Sequence, residues 1–180
     1  MHLYVNHTPV RLFLVSLAFL IVLSVSCEKK NTIDERGIHI YLLADHDSLD
    51  PLWEIDESTI VPEEEPIIRY EDILSYDSKS HTFKISSAAQ ESLKGKQSSI
   101  HSRPFVLVAN KEYIYTGYFW AAYSSAICPW LTIDPIHAEY AGELRITLGY
   151  PWLMEGMNIP DQRNDGRILN ILRQDRKLIE

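Results

Sequence analysis

The sequence predicts an α+β domain with a mainly antiparallel sheet, a central hairpin and two helices on one face. Three observations carry that class. The first is the stretch 103–120, RPFVLVANKEYIYTGYFW, in which two apolar, β-branched and aromatic runs flank Asn110-Lys111. Asn tolerates the positive φ of a two-residue primed turn, so Ala109 and Glu112 are expected to close a hairpin. Phe105, Leu107 and Ala109 share one face of its first strand and Val106 and Val108 the other. Apolar residues on both faces are the mark of a strand covered on both sides. The second observation is a set of short alternating segments joined by short connections. The third is that only two segments combine caps with helical spacing.

Along the chain, residues 37–44 (GIHIYLLA) read as a first strand, with Ile38, Ile40 and Leu42 alternating against His39, Tyr41 and Leu43. Residues 45–66 are polar and punctuated by Pro51, Pro62 and Pro66, which discourage helix and favour a loop with short extended pieces. Residues 67–76 fit either a helical turn or an extended lead-in. Residues 82–85 form a short strand. A helix then starts at Ser87, with Gln90 at capping-box spacing and Gly95 as its stop. Residues 98–102 read as a loop into the hairpin. Beyond it, residues 131–134 form a strand ended by Pro135. Residues 143–148 (ELRITL) form a half-exposed strand, with Leu144, Ile146 and Leu148 opposite Glu143, Arg145 and Thr147. Ile168, Leu169, Ile171 and Leu172 fall at helical spacing in the last helix, capped by Asn164 or Asp165, with Arg176 and Lys177 suiting its C-terminal end.

The N-terminus supplies an address. Arg11 precedes an apolar and small-residue run over 12–26. Its 15 residues fall short of the roughly 20 that span a bilayer, so the segment reads as a secretory signal. Leu23-Ser24-Val25-Ser26-Cys27 resembles a bacterial lipoprotein lipobox of the looser Bacteroidetes form, with Ser24 standing where Leu is usual. The resemblance implies lipidation of Cys27 as the mature N-terminus. Several acyl chains give the stable bilayer attachment that one chain does not. Residues 1–26 are then a signal peptide, 27–37 a polar flexible tether, and 38–180 a single domain held at the periplasmic face or outer-membrane surface of the bacterial envelope. The strand, helix and hairpin order of HTFKISSAAQESLK and PFVLVANKEYIYTGYF is similar to that of the periplasmic head of the SecD translocase subunit. SYDSKSHTFKIS, IYTGYFW, LGYP and D-x-R-N-D-x-R-I together resemble uncharacterised Bacteroidetes-type lipoproteins over most of 38–180, a family that implies no activity.

The 180-residue chain carries a formal net charge of −8. Residues 1–26 contain one Arg and no acid, so the mature 154 residues hold 16 Lys and Arg against 25 Asp and Glu, a net charge of −9. Such a chain repels phosphate backbones, which argues against nucleic acid as a partner. With Cys27 acylated, Cys128 has no partner in the chain, and its apolar setting marks it as a buried structural thiol.

Candidate sites are few. Asp45, His46, Asp47 and Asp50 cluster oxygen and nitrogen donors but lack the glycine and distant glutamate of a calcium loop, so they read as an acidic turn. Cys128, Asp134 and His137 are the residue types of a thiol nucleophile, acid and base, yet two prolines separate them. His39, His81 and His101 have no metal-ligand spacing. No metal and no cofactor is expected. Asp161, Arg163, Asp165 and Arg167 surround the start of the last helix; ion pairs pinning that helix are the principal reading, and a ligand anion held by Arg163 and Arg167 the alternative. Tyr113, Tyr115, Tyr118, Trp120, Tyr123, Trp130, Tyr150 and Trp152 crowd into forty residues. Most such aromatics serve as core or cross-strand partners, but Trp120, Tyr123 and Trp152 are the candidates for a platform under a sugar ring or peptide. The expected function is a non-enzymatic module binding an envelope protein or glycan. A hydrolase drawing on Asp45, Asp161 or His137 is the alternative, and a purely structural subunit a third.

Overall fold

The computed structural model describes residues 36–49 and 53–180. The signal segment, Cys27 and Asp50 lie outside the described residues. Eleven strands and four α-helices follow in order among those described: β1 (Ile38–Asp45), β2 (Ser48–Leu49), β3 (Glu54–Ile55), β4 (Val61–Pro62), β5 (Ile73–Asp77), β6 (Thr82–Ile85), α1 (Ser87–Leu93), α2 (Gln97–Ile100), β7 (Pro104–Ala109), β8 (Glu112–Phe119), β9 (Cys128–Ile133), α3 (Pro135–Ala141), β10 (Glu143–Tyr150), α4 (Gly166–Gln174) and β11 (Leu178–Ile179). Nine strands form one sheet in the order β11-β5-β6-β10-β9-β8-β7-β1-β4, and β2 and β3 form a separate pair.

The class expected from the sequence is found at the level of α+β. The finer expectation needs two corrections. The sheet is mixed, because β8 and β9 run parallel, as do β5 and β11. There are four helices rather than two. Residues 98–100, part of a segment read as loop, belong to α2. Pro135, read as a strand stop, is instead the first residue of α3, where its fixed φ and missing N–H cost nothing. Asp134 caps this helix by accepting from Ile136 N, and Gly142 closes it in the left-handed region at φ 67°. The helix is the connection between the antiparallel neighbours β9 and β10, while residues 120–127 carry the chain from β8 to its parallel neighbour β9. The last helix ends at Gln174, and the chain adds β11 beside β5 as a sheet edge.

The hairpin is central, as its two apolar faces require. Asn110 and Lys111 adopt φ of 48° and 73°, and Ala109 pairs with Glu112. Asn110 also binds β1's entry: its N–H donates to Gly37 O, and its Oδ1 accepts from Gly37 N at 2.9 Å. Register places Ile40, Leu107 and Tyr115 on one face, and Phe119, Ile133 and Ile146 continue it across β8, β9 and β10. All six are almost wholly buried, and each large side chain removed from water contributes about 1.5–3 kcal/mol.

The opposite face carries Tyr41 and Val106 and then turns polar. Thr116 on β8 accepts from Trp130 Nε1 at 3.2 Å, and Thr132 and Thr147 bond across β9 and β10 at 2.7 Å. Over β8, Trp53 packs edge-on against Tyr118 and Trp120, and Tyr118 donates to Trp53 O. The segment read as a polar loop thus covers part of this face. Near β10 the face is open.

Candidate functional site

The open part of that face is a cleft of about 260 Å³ lined by Trp120, Thr132, Asp134, His137, Arg145, Thr147, Tyr150 and Pro151. Its floor is the polar side of two paired strands. The Thr132–Thr147 hydroxyl pair lies at the centre, and Arg145 stands one alternate position earlier on β10. Trp120 forms one wall just past β8. The start of α3 supplies Asp134 and His137. Tyr150 reaches the same side because the β9–β10 register shifts between Leu148 and Tyr150, at Gly149 with φ 75°. Such a bulge re-aims the following side chain, here bringing Tyr150 beside Thr147 although Leu148 faces the core. Tyr150 Oη donates to Ala122 O at 2.8 Å, tying this wall to the loop after β8.

Two of the titratable groups in the cleft, Asp134 and His137, are committed to partners within the protein. Asp134 Oδ1 accepts from Ile136 N at 3.0 Å and Ala122 N at 3.3 Å. His137 Nε2 lies 3.2 Å from Glu143 Oε2. The Arg145 guanidinium is exposed and makes no ion pair or hydrogen bond among the described residues. Across the β6–β10 pairing, Lys84 stands opposite Glu143 and Thr82 opposite Arg145.

The expected platform residues divide. Trp120 is 3% exposed, so it serves as a wall and not as an open platform; its Nε1 donates to Ala126 O at 3.1 Å. Burial follows from Trp53 on one side and His101, 5.0 Å away between ring centres, on the other. Tyr123 and Trp152 are open, at 59% and 66% exposure. Tyr123 packs against His101, which packs against Trp120, and Trp152 follows the cleft residue Pro151. Neither exposed ring lines the cleft; each is the chain neighbour of a residue at it, Tyr123 of Ala122, which bonds Asp134 and Tyr150, and Trp152 of Pro151.

The arginines near the last helix are engaged within the protein. Arg163 donates from Nε and Nη2 to Asp161 and from Nη1 to Ile146 O. These donors hold the Asp161 carboxyl down at about 2. Arg167 grips Asp165, the helix cap, and Glu112. Both side chains act as the pins that the sequence suggested. His81, beside Tyr76 and Arg163, has its pKa lowered by burial first and by the guanidinium second.

The remaining candidates have the following surroundings among the described residues. Cys128 is a buried free thiol, pushed up to about 11 by burial, a poor nucleophile. Asp45 accepts from His46 N, and no group of three or more metal-ligating side chains gathers among the described residues. Arg145, Thr132 and Thr147 were not singled out by sequence, although the polar half of ELRITL was the available signal. No protein-family model, curated protein or solved structure matches this chain.

Proposed function

We propose that this chain is a lipid-anchored module of the bacterial cell envelope that binds an envelope protein or glycan without catalysing a reaction. The observation that carries the binding half is the cleft: an open, partly aromatic depression with Tyr123 and Trp152 exposed beside it. Exposed aromatic rings beside convergent polar groups suit a ligand with one apolar face and several hydroxyl or charged groups. The lipobox-like segment ending at Cys27 supports the anchor.

The second reading is a hydrolase, favoured by the His137–Glu143 pair at the cleft. Acid–base chemistry needs a second group able to exchange protons with substrate. Asp134 is held as a helix cap and Asp161 as a partner of Arg163, so the cleft has a binder's composition more than a catalyst's.

Intact-mass measurement of protein extracted from the membranes of an expressing diderm bacterium tests the anchor. The expected mass begins at Cys27 and includes acyl chains, and a Cys27→Ala variant loses both the acyl mass and the membrane association. A mass starting at residue 1, or an unmodified Cys27, overturns the anchored reading.

A further inference from the structure

Resting on the proposed binding role of the cleft, we infer that its ligand is a saccharide bearing a carboxylate, with Arg145 as the counter-ion. Arg145 is the one lining cation, and among the described residues its guanidinium has no partner. The two acids nearby do not occupy it: Asp134 is turned to the amides of Ile136 and Ala122, and Glu143 to His137. Lys84, opposite Glu143 in register, adds a second cation to this side of the sheet. A guanidinium with both edges available matches a carboxylate through paired charge-assisted hydrogen bonds.

The rest of the cleft indicates a sugar and not a peptide. Its volume of about 260 Å³ lies below the roughly 300–1,000 Å³ of pockets that take drug-sized ligands and suits one ring of a longer chain. Thr147 offers a hydroxyl oxygen at the floor, held in place by the hydroxyl of the buried Thr132. Trp152 and Tyr123, exposed beside it, provide faces on which adjoining rings can stack. Peptides are held by an added strand or by a helix in an apolar groove. The edge strands here, β4 and β11, are two residues long, and β4 contains Pro62. The cleft has four polar or charged side chains besides His137 and Tyr150, so it is not an apolar groove.

A carboxylate sugar could be a uronic acid or a muramic-type sugar carrying a lactyl group. The test titrates the full chain, purified in detergent, with methyl glucuronide against methyl glucoside and with N-acetylmuramic acid against N-acetylglucosamine. The acidic member of at least one pair is expected to bind about tenfold or more tightly, and the pair showing the difference names the source. Arg145→Met, at an exposed position that leaves the circular dichroism unchanged, is expected to abolish that difference. Trp152→Ala is expected to weaken both members of the pair. Equal affinities within both pairs, or a preference that survives Arg145→Met, overturns the carboxylate assignment; if that binding is still lost in Trp152→Ala, the binding role of the cleft stands. Absence of binding to all four sugars overturns the assignment together with the glycan branch of the proposed function, while the lipid anchor is decided separately by mass.

Discussion

Tyr115 shows what a single side chain costs when its polar end is left over. Its ring belongs to the core face of the hairpin, and its hydroxyl is buried with no hydrogen-bond partner among the described residues. Burial pushes its ionisation far above the ordinary tyrosine range. An unsatisfied buried hydroxyl costs about 1–3 kcal/mol. Tyr115→Phe, which keeps the ring, should therefore raise the unfolding free energy by about 1 kcal/mol in a denaturant titration; a loss of stability would show that the hydroxyl has a bonding role inside the core. By contrast, the hydroxyl of Tyr76 donates to Arg163 O at 2.8 Å and Asn164 Oδ1 at 3.0 Å, so the corresponding change there removes satisfied bonds. Sequence alone places Tyr115 among the strand aromatics and Tyr76 at the end of a segment of either helical or extended form. It does not distinguish their hydroxyls, because the partners of Tyr76 arrive from the loop before α4, nearly ninety residues away. The same distance conceals Arg145: ELRITL shows a polar strand face, but that this face lies under Trp120 and Tyr150 depends on β8, β9 and the bulge at Gly149.

At the scale of elements, local chemistry was readable where it was self-contained. The Asn110-Lys111 turn, the strand at 82–85 and the Asp165 cap all follow from neighbouring residues. The first helix was displaced by one: Ser86, not Ser87, accepts from Ala89 N, and Gln90 donates to Glu139 O on α3 instead of reaching back. A tertiary partner competed for the capping-box glutamine. The parallel β8–β9 pairing was not legible, since a parallel neighbour leaves no turn signal. It does leave one trace in Gly117. A Cβ there would lie 2.5 Å from Phe105 Cζ and 2.7 Å from the backbone oxygen of Leu131. The ring could shift but the β9 backbone could not, so the glycine is required by close packing of β7, β8 and β9 and not by an unusual φ. Gly117→Ala should destabilise the fold by about 1–3 kcal/mol, read as a lowered thermal midpoint; an unchanged midpoint would contradict that spacing.

For the whole molecule, the mixed sheet separates two tasks. One face is a continuous apolar core across β1, β7, β8, β9 and β10, and the other is covered at Trp53 and open at Thr147 and Arg145. The nine strands hold the cleft walls in fixed register, while Tyr123 and Trp152 sit outside them on connecting segments, where exposed rings can meet a large ligand. The four tryptophans report on this division directly: Trp120 and Trp152 belong to the cleft and its flank, whereas Trp130 donates to Thr116 inside the sheet. The decisive measurement is the indole N–H spectrum of the ¹⁵N-labelled full chain, with each signal assigned by single substitution, during titration with methyl glucuronide and N-acetylmuramic acid. The Trp120 and Trp152 signals are expected to move together with one of these sugars while the Trp130 signal stays in place. Four stationary signals with both sugars, or movement confined to Trp53 and Trp130, would contradict a saccharide site at this cleft.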